Sequence, residues 1–224
     1  GKLSSTAAVI SLVTISVSVF AGERLNFIIR VCGGMLAGLS WKPKLLPYCI
    51  LIAVELAAVA GIFLADNTLA SRFGSQFINE LPIHSDSPYL RVWQGGIAAF
   101  QESPIIGIGP DVYRKTCPAL SEGLSNIDCH THPHNFYVQL AGETGLLGLV
   151  AGCFMMGSIL ITCFSYRHVD KDNIFTAIAY VIPLAVFFPL QTTSDFFGQW
   201  NNLFMWSAVA FALASGNLLP DRKA

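Results

Sequence analysis

The sequence predicts an all-α, polytopic membrane protein with about six transmembrane helices and one large, partly helical loop outside the membrane. Three observations predict it. Of the 224 residues, 53% are hydrophobic and only 12% charged, about half the charged share of an ordinary soluble domain. Apolar runs close to the roughly 20 helical residues that cross a hydrocarbon core recur along the chain. Polar residues gather instead in one stretch, 65–135, which holds 7 of the 14 acidic residues and 4 of the 5 histidines. This composition excludes a water-soluble globule. Collagen-like, disordered and disulfide-scaffold classes also fail for an apolar chain with 6 cysteines and no short repeat. A net charge of −1 gives no basic surplus for binding nucleic acid.

Taken in order, the apolar segments are residues 3–20, 25–39, 46–64, 136–164, 174–190 and 203–219, the second being short and carrying Arg30. The chain opens on Gly1 and Lys2 and enters an apolar run at once, which reads as an excerpt of a longer membrane protein. A signal peptide is the competing reading. Ala21-Gly-Glu-Arg24 after Phe20 favours a helix-to-helix connection. The expected organisation is three spans over 1–64, an outer loop over 65–135 carrying the site, and three spans over 136–224.

Lys and Arg accumulate in short cytoplasmic loops. Lys2, Lys42, Lys44, Arg167, Lys171, Arg222 and Lys223 fall at alternate ends of the six segments, which places them on the cytoplasmic side of an inner membrane. The long loop then faces the periplasm, as do Glu23 with Arg24 and the 191–202 connection. Cys117 and Cys129 are the two cysteines of that loop, and an oxidising compartment permits a bridge between them. Cys32, Cys49, Cys153 and Cys163 lie in apolar helices as small hydrophobes.

Within the loop, Ser87-Pro88 reads as an N-cap and first-turn pair. Leu90, Trp93, Ile97 and Phe100 follow at helical spacing, so the pattern predicts an amphipathic helix over 88–101. Ser103-Pro104 stops it, and Gly107 and Gly109-Pro110 mark a tight turn.

Residues 129–135 read Cys-His-Thr-His-Pro-His-Asn, the densest polar cluster of the chain. His130, His132 and His134 alternate, so an extended segment would put three imidazoles on one face, as zinc or copper prefers. The plainer reading is a wet interfacial loop, because a zinc site needs three or four ligands with supporting partners and no helical His-Glu-x-x-His pattern accompanies them. Further on, Glu143 is either a carboxylate satisfied by a neighbour or a functional charge, since ionisable groups at membrane depth are costly. Gly145 and Gly148 suit close helix packing.

His134-Asn135, a nine-residue gap containing Glu143, and then Gly145-Leu-Leu-Gly148 together resemble the signature of the O-antigen ligase and polymerase family. Ala21-Gly-Glu-Arg24 looks like that family's motif at an outer helix end. Arg91 ahead of Ser103-Pro-Ile-Ile-Gly107-Ile-Gly109 looks like its loop arginine and turn. Family members are roughly twice this long, so the chain resembles their C-terminal half. The resemblance implies a helical, GT-C-like membrane glycosyltransferase fold. It also implies transfer of a glycan from an undecaprenyl diphosphate carrier to an acceptor, with no metal or other cofactor.

Such chemistry suits the residues present. Departure of the diphosphate leaves negative charge that guanidinium groups stabilise, and Arg24 and Arg91 are the candidates. The acceptor hydroxyl loses a proton as it attacks the anomeric carbon, and the His134 imidazole suits that task near neutral pH. An alternative role for His134 is to bind the diphosphate as a cation. His132, Asn135, Glu143, Gly145 and Gly148 form the supporting set. Arg24 as a headgroup anchor, Arg91 as a solvated charge, and Arg114 with Lys115 as an exposed turn are the competing structural readings. The expected partners are the lipid-linked glycan donor, a lipid A-core acceptor as in lipopolysaccharide biosynthesis or else another glycan or a protein hydroxyl, and membrane lipids. A transporter subunit would use Arg30, Glu55 and Glu143 as pathway residues. A zinc-dependent membrane hydrolase would use the three histidines.

Overall fold

The computed structural model describes residues 5–20, 24–41, 45–124, 126–167, 173–191 and 195–218. Among these residues every regular element is helical and no strand occurs. The helices are α1 Ser5–Phe20, α2 Arg24–Trp41, α3 Leu45–Ala65, α4 Asn67–Phe73, α5 Ser75–Glu80, α6 Pro88–Glu102, α7 Tyr113–Leu120, α8 Phe136–Tyr166, α9 Ile174–Ile178, α10 Val181–Val186 and α11 Gln199–Ala214, followed by a 3-10 turn at Ser215–Leu218. Two compact units result, one of residues 1–78, 163–181 and 215–224, the other of residues 79–162 and 182–214.

The first unit has α1, α2 and α3 as its main helices. Ile15 and Val19 of α1 and Val59 of α3 are buried with Phe27, Val31, Ile62, Phe63 and Phe73 around them. The Phe73 ring meets Phe27 edge-on, with centroids 5.4 Å apart. Arg30 does not stand alone in its apolar surroundings. It donates to the Ser11 carbonyl and, at 2.9 Å, to Ser11 Oγ, while that hydroxyl donates to Glu55. Arg30 and Glu55 themselves are 3.9 Å apart. Pairing of this kind is what makes charge tolerable in apolar surroundings, and it gives both residues a structural partner. At the end of α3, Asp66 caps α4 by accepting from Thr68 N at 2.8 Å and Leu69 N at 3.2 Å. The Leu69 and Thr68 backbone donors hold its carboxyl below the ordinary value.

Two helices are long and apolar enough to cross a membrane, the stretch Leu46–Ala65 of α3 and all of α8. A soluble protein would bury such helices, yet only 6% of the first and 17% of the second apolar window is buried. Leu46, Ile50, Val54, Leu64, Val150, Phe154 and Ile161 stand exposed on them, as lipid-facing residues do. Of the four remaining expected spans, three are shorter apolar stretches, Ser11–Phe20, Ile174–Val186 and Asn202–Ala214, and the fourth, 25–39, lies within α2. The segment 174–190 is not one helix. It begins under an Asn173 cap, whose side chain accepts from Phe175 N at 3.0 Å, stops at Ile178, and resumes at Val181. Pro183 explains the interruption, because it has no N–H to offer the carbonyl of Ala179. The expected last segment, 203–219, is α11 from Gln199 and a 3-10 turn. Of the basic residues that set the expected orientation, Arg167 lies over the Phe164 ring at 3.8 Å. Lys2, Lys42, Lys44, Lys171, Arg222 and Lys223 lie outside the described residues.

In the second unit the core is aromatic. Phe136, Leu140 and Met156 of α8 pack with Phe187 and Val209. Phe196 meets Phe136 edge-on at 5.2 Å.

Candidate functional site

The second unit holds Arg91, the histidines, Asn135, Glu143 and the glycines. Arg24 belongs to the first unit, where its Nη1 donates to the Arg72 carbonyl at 3.3 Å, and Ala21, Gly22 and Glu23 beside it lie outside the described residues.

Helix α6 starts as the sequence predicts, with Ser87 extended, its hydroxyl accepting from Leu90 N, and Pro88 in the first turn. Its buried face differs from the expected one. Val92, Gly95, Gly96 and Ala99 point inward, while Ile97 is exposed and Leu90, Trp93 and Phe100 are only half-buried. Small residues win the inner face because neighbouring groups come too close for side chains. A Cβ on Gly95 would meet the Tyr113 hydroxyl at 2.3 Å, and one on Gly96 would meet Val138 at 2.4 Å and Pro133 at 3.0 Å. Tyr113 is fully buried there. Burial, and then the Glu143 carboxylate, push its hydroxyl up to about 12.

Helix α7 and the segment after it return toward α6. Cys117 and Cys129 are joined by a disulfide, with the Tyr113 hydroxyl 3.3 Å from Cys117 Sγ. Asp128 N donates to the Arg91 carbonyl at 3.2 Å. Asp128 Oδ2 lies 3.1 Å from Arg91 Nε without the angle of a hydrogen bond, so this is an ion pair of two half-exposed groups and adds little stability. Arg114 pairs with Asp111, three residues earlier in the chain, at 2.9 Å.

The three imidazoles gather around His134, whose ring centroid is 4.3 Å from that of His132 and 5.3 Å from that of His130. Thr131 Oγ1 and His132 Nδ1 are 3.0 Å apart. Among the described residues no group of three His, Cys, Asp or Glu side chains is arranged to hold a metal ion. His134 has φ 55, a left-handed conformation that non-glycine residues adopt at some cost. Its neighbours fix it there. Pro133 is buried on one side, and on the other Asn135 caps α8, its Oδ1 accepting from Tyr137 N at 3.0 Å and Val138 N at 3.2 Å. Asn135 Nδ2 also donates to the Pro189 carbonyl at 2.7 Å. Asn135 is therefore the anchor that aims His134.

Glu143 is 1% exposed and fully engaged. Its Oε1 accepts from Tyr113 N at 2.9 Å, satisfying an orphan donor in the first turn of α7. Its Oε2 accepts from Gln139 Nε2 at 3.0 Å. Gln139, which sequence reasoning missed, also donates to Asp195 at 2.6 Å and accepts from Phe196 N at 2.8 Å. Its one legible signal was position, four residues before Glu143 on a helix. Nothing in the sequence pointed to Asp195.

Two turns into α8 the helix breaks at Gly145, with φ 65 and ψ −165. The 103–109 turn fills the break. Leu146 N donates to the Pro104 carbonyl at 2.8 Å and Leu147 N to that of Ile105 at 3.3 Å, while Ile108 N and Gly109 N donate to the carbonyls of Gly142 and Glu143 at 3.1 and 2.9 Å. All four backbone groups freed by two lost helical bonds thus regain partners, which a membrane-crossing chain requires. Gly148, expected as a helix-packing position, instead clears space for Thr144 of its own helix.

Chemically, the arrangement offers a half-buried imidazole at the N-terminal end of α8, an arginine on α6, and a buried polar network around Glu143. Neither a curated protein nor a solved structure matches this chain. The protein-family model described as O-antigen ligase matches residues 6–153, a span that includes Arg24, Arg91, His134, Glu143 and Gly145. Members of that family are membrane proteins and glycosyltransferase-like enzymes. More than half of the chain is covered, and the chain belongs to the O-antigen ligase family.

Proposed function

We propose that this protein transfers a glycan from undecaprenyl diphosphate to a hydroxyl of lipid A-core at the periplasmic face of the inner membrane. The observation that supports the proposal is the placement of His134, held in a left-handed conformation beside the Asn135 cap at the N-terminal end of a helix long and apolar enough to cross a membrane. Its imidazole takes the proton of the acceptor hydroxyl as that oxygen attacks the anomeric carbon. The bond from that carbon to the diphosphate breaks, and the phosphate oxygen keeps the electron pair. Arg91 and Arg24 meet the charge that develops there. Arg91 enters this role from an exposed ion pair with Asp128, which is weak enough to exchange for a phosphate. Attack opposite the leaving group inverts the anomeric configuration. Neither metal nor cofactor takes part, and the lipid acceptor arrives laterally through the bilayer.

The test is transfer in a cell lacking its own O-antigen ligase, complemented by the full-length gene encoding this chain. His134→Ala, Arg91→Ala and Arg24→Ala are compared at matched membrane expression. Long-chain lipopolysaccharide restored by the parent and lost in the variants supports the assignment. A well-expressed parent that restores none overturns the lipid A-core acceptor and turns the search to a polymerase or protein-glycosylating acceptor.

A further inference from the structure

Helix α8 is longer than one membrane crossing, and its uninterrupted apolar part begins at the break at Gly145 rather than at the start of the helix. Helix α8 has 31 residues, about 46 Å at the α-helical rise, against a hydrocarbon core of about 30 Å. Tyr166 ends it and Arg167 stacks on Phe164, the aromatic and cationic pair that marks a membrane–water boundary. About 20 residues outward from Tyr166, the length of one crossing, lie Leu146 and Leu147. Every carboxyl or amide side chain of α8 lies before that point in the chain, with Gln139 and Glu143 buried there.

The 103–109 turn enters α8 at this level. Its tip carries Ile105 and Ile106, 66% and 68% exposed, beside Leu146 and Leu147 at 52% and 64%. The backbone bonds from Leu146 and Leu147 to Pro104 and Ile105 fix these four side chains in one place. Helix α6, which leads into the turn, keeps its small residues inside. Its large apolar residues Leu90, Trp93, Ile97 and Phe100, which share one helical face by spacing, are not fully buried.

We propose that the 104–106 tip is an interfacial anchor that inserts Ile105 and Ile106 among the acyl chains of the outer leaflet. The partner is the lipid bilayer itself. Continuity with the lipid-facing surface of α8 is what selects it, since an apolar patch continuous with a membrane span has no other solvent at that depth. The anchor holds the histidine-bearing end of α8 at a set height above the hydrocarbon. This inference rests on the membrane character of the family and not on the proposed acceptor or on catalysis, so failure of either leaves the other standing.

Single variants Ile105→Trp and Ile106→Trp of the full chain, in nanodiscs, test the inference. Both side chains point into open space, so a larger ring is accommodated. The emission added over the parent should be lost with phospholipid brominated in its acyl chains and kept in aqueous iodide. Loss to iodide with no effect of brominated lipid overturns the proposal. In the unsubstituted chain, a phospholipid carrying an acyl-chain diazirine should label the 104–106 peptide as well as the inner half of α8. Labelling confined to residues 146–166 overturns it without any substitution.

Discussion

Gly107 and Gly145 both have positive φ on opposite sides of one contact, and each lays its bare α-carbon against the backbone of the other's segment. A Cβ on Gly107 would meet the Glu143 carbonyl carbon at 2.2 Å, and one on Gly145 would meet that of Ile105 at 2.4 Å. With φ of 72 and 65, both positions are closed to other residues by backbone conformation as well as by space.

Gly107→Ala and Gly145→Ala are each expected to lower the melting temperature in detergent and to reduce glycan transfer. The positive-φ backbone alone costs about 1 to 3 kcal/mol, and the backbone clash adds to it. Gly157→Ala, where a Cβ meets nothing within 4 Å, should leave both unchanged or slightly raise stability.

Asn135→Ala removes the cap of α8 and the bond to Pro189, an expected loss of about 1 to 3 kcal/mol. Asn135→Asp keeps the acceptor for Tyr137 N and Val138 N but loses the donor to Pro189, so it should fall between the two. If His134 depends on this anchor, turnover should drop further than stability in both variants, as seen by assaying well below the melting point.

Cys117→Ser or Cys129→Ser opens a loop closed at a sequence separation of 12. The chain-entropy account predicts a loss of about 3 kcal/mol for a loop of this size. Thermal unfolding with and without reductant should separate the parent but not the variants.

Tyr113 supplies a pH dependence with a definite sign. Its folded value, about 12, exceeds the ordinary value near 10. The stability it contributes is therefore complete below pH 10 and fades as the pH climbs toward 12, where the unfolded chain ionises and the folded one resists. Full loss corresponds to about 2 to 3 kcal/mol. Tyr113→Phe should flatten this alkaline decline in melting experiments between pH 8 and 11.5 relative to the parent.

Gln139→Leu strips the shared donor from Glu143 and Asp195 and leaves Phe196 N unpaired. A cost of about 1 to 3 kcal/mol is expected, since Glu143 keeps the Tyr113 N donor and Asp195 keeps Phe197 N. Gln139→Glu should be worse at neutral pH than Gln139→Leu, since it sets a third carboxyl between two, and the order of melting temperatures reads this directly.

The sequence by itself determined what composition, periodicity and capping carry. Apolar runs located α1, α2, α3 and α8. Ser87-Pro88 and Ser103 bounded α6, because capping chemistry acts over three or four residues and needs no distant partner. His134-Asn135, Arg91 and the glycine pattern pointed to the family that the match to residues 6–153 establishes. Tertiary structure decided what depends on residues far apart in the chain. It turned α6 over, because Tyr113, Cys117 and Pro133 press against Gly95 and Gly96. It split the segment 174–190 around Pro183, and made Asn135 the cap of α8. It recruited Gln139 and Asp195 to Glu143, a network no local pattern encodes. It also turned two glycine motifs, some forty residues apart, into a single joint, since the backbone groups freed by a break in an apolar helix must find partners wherever the fold brings them.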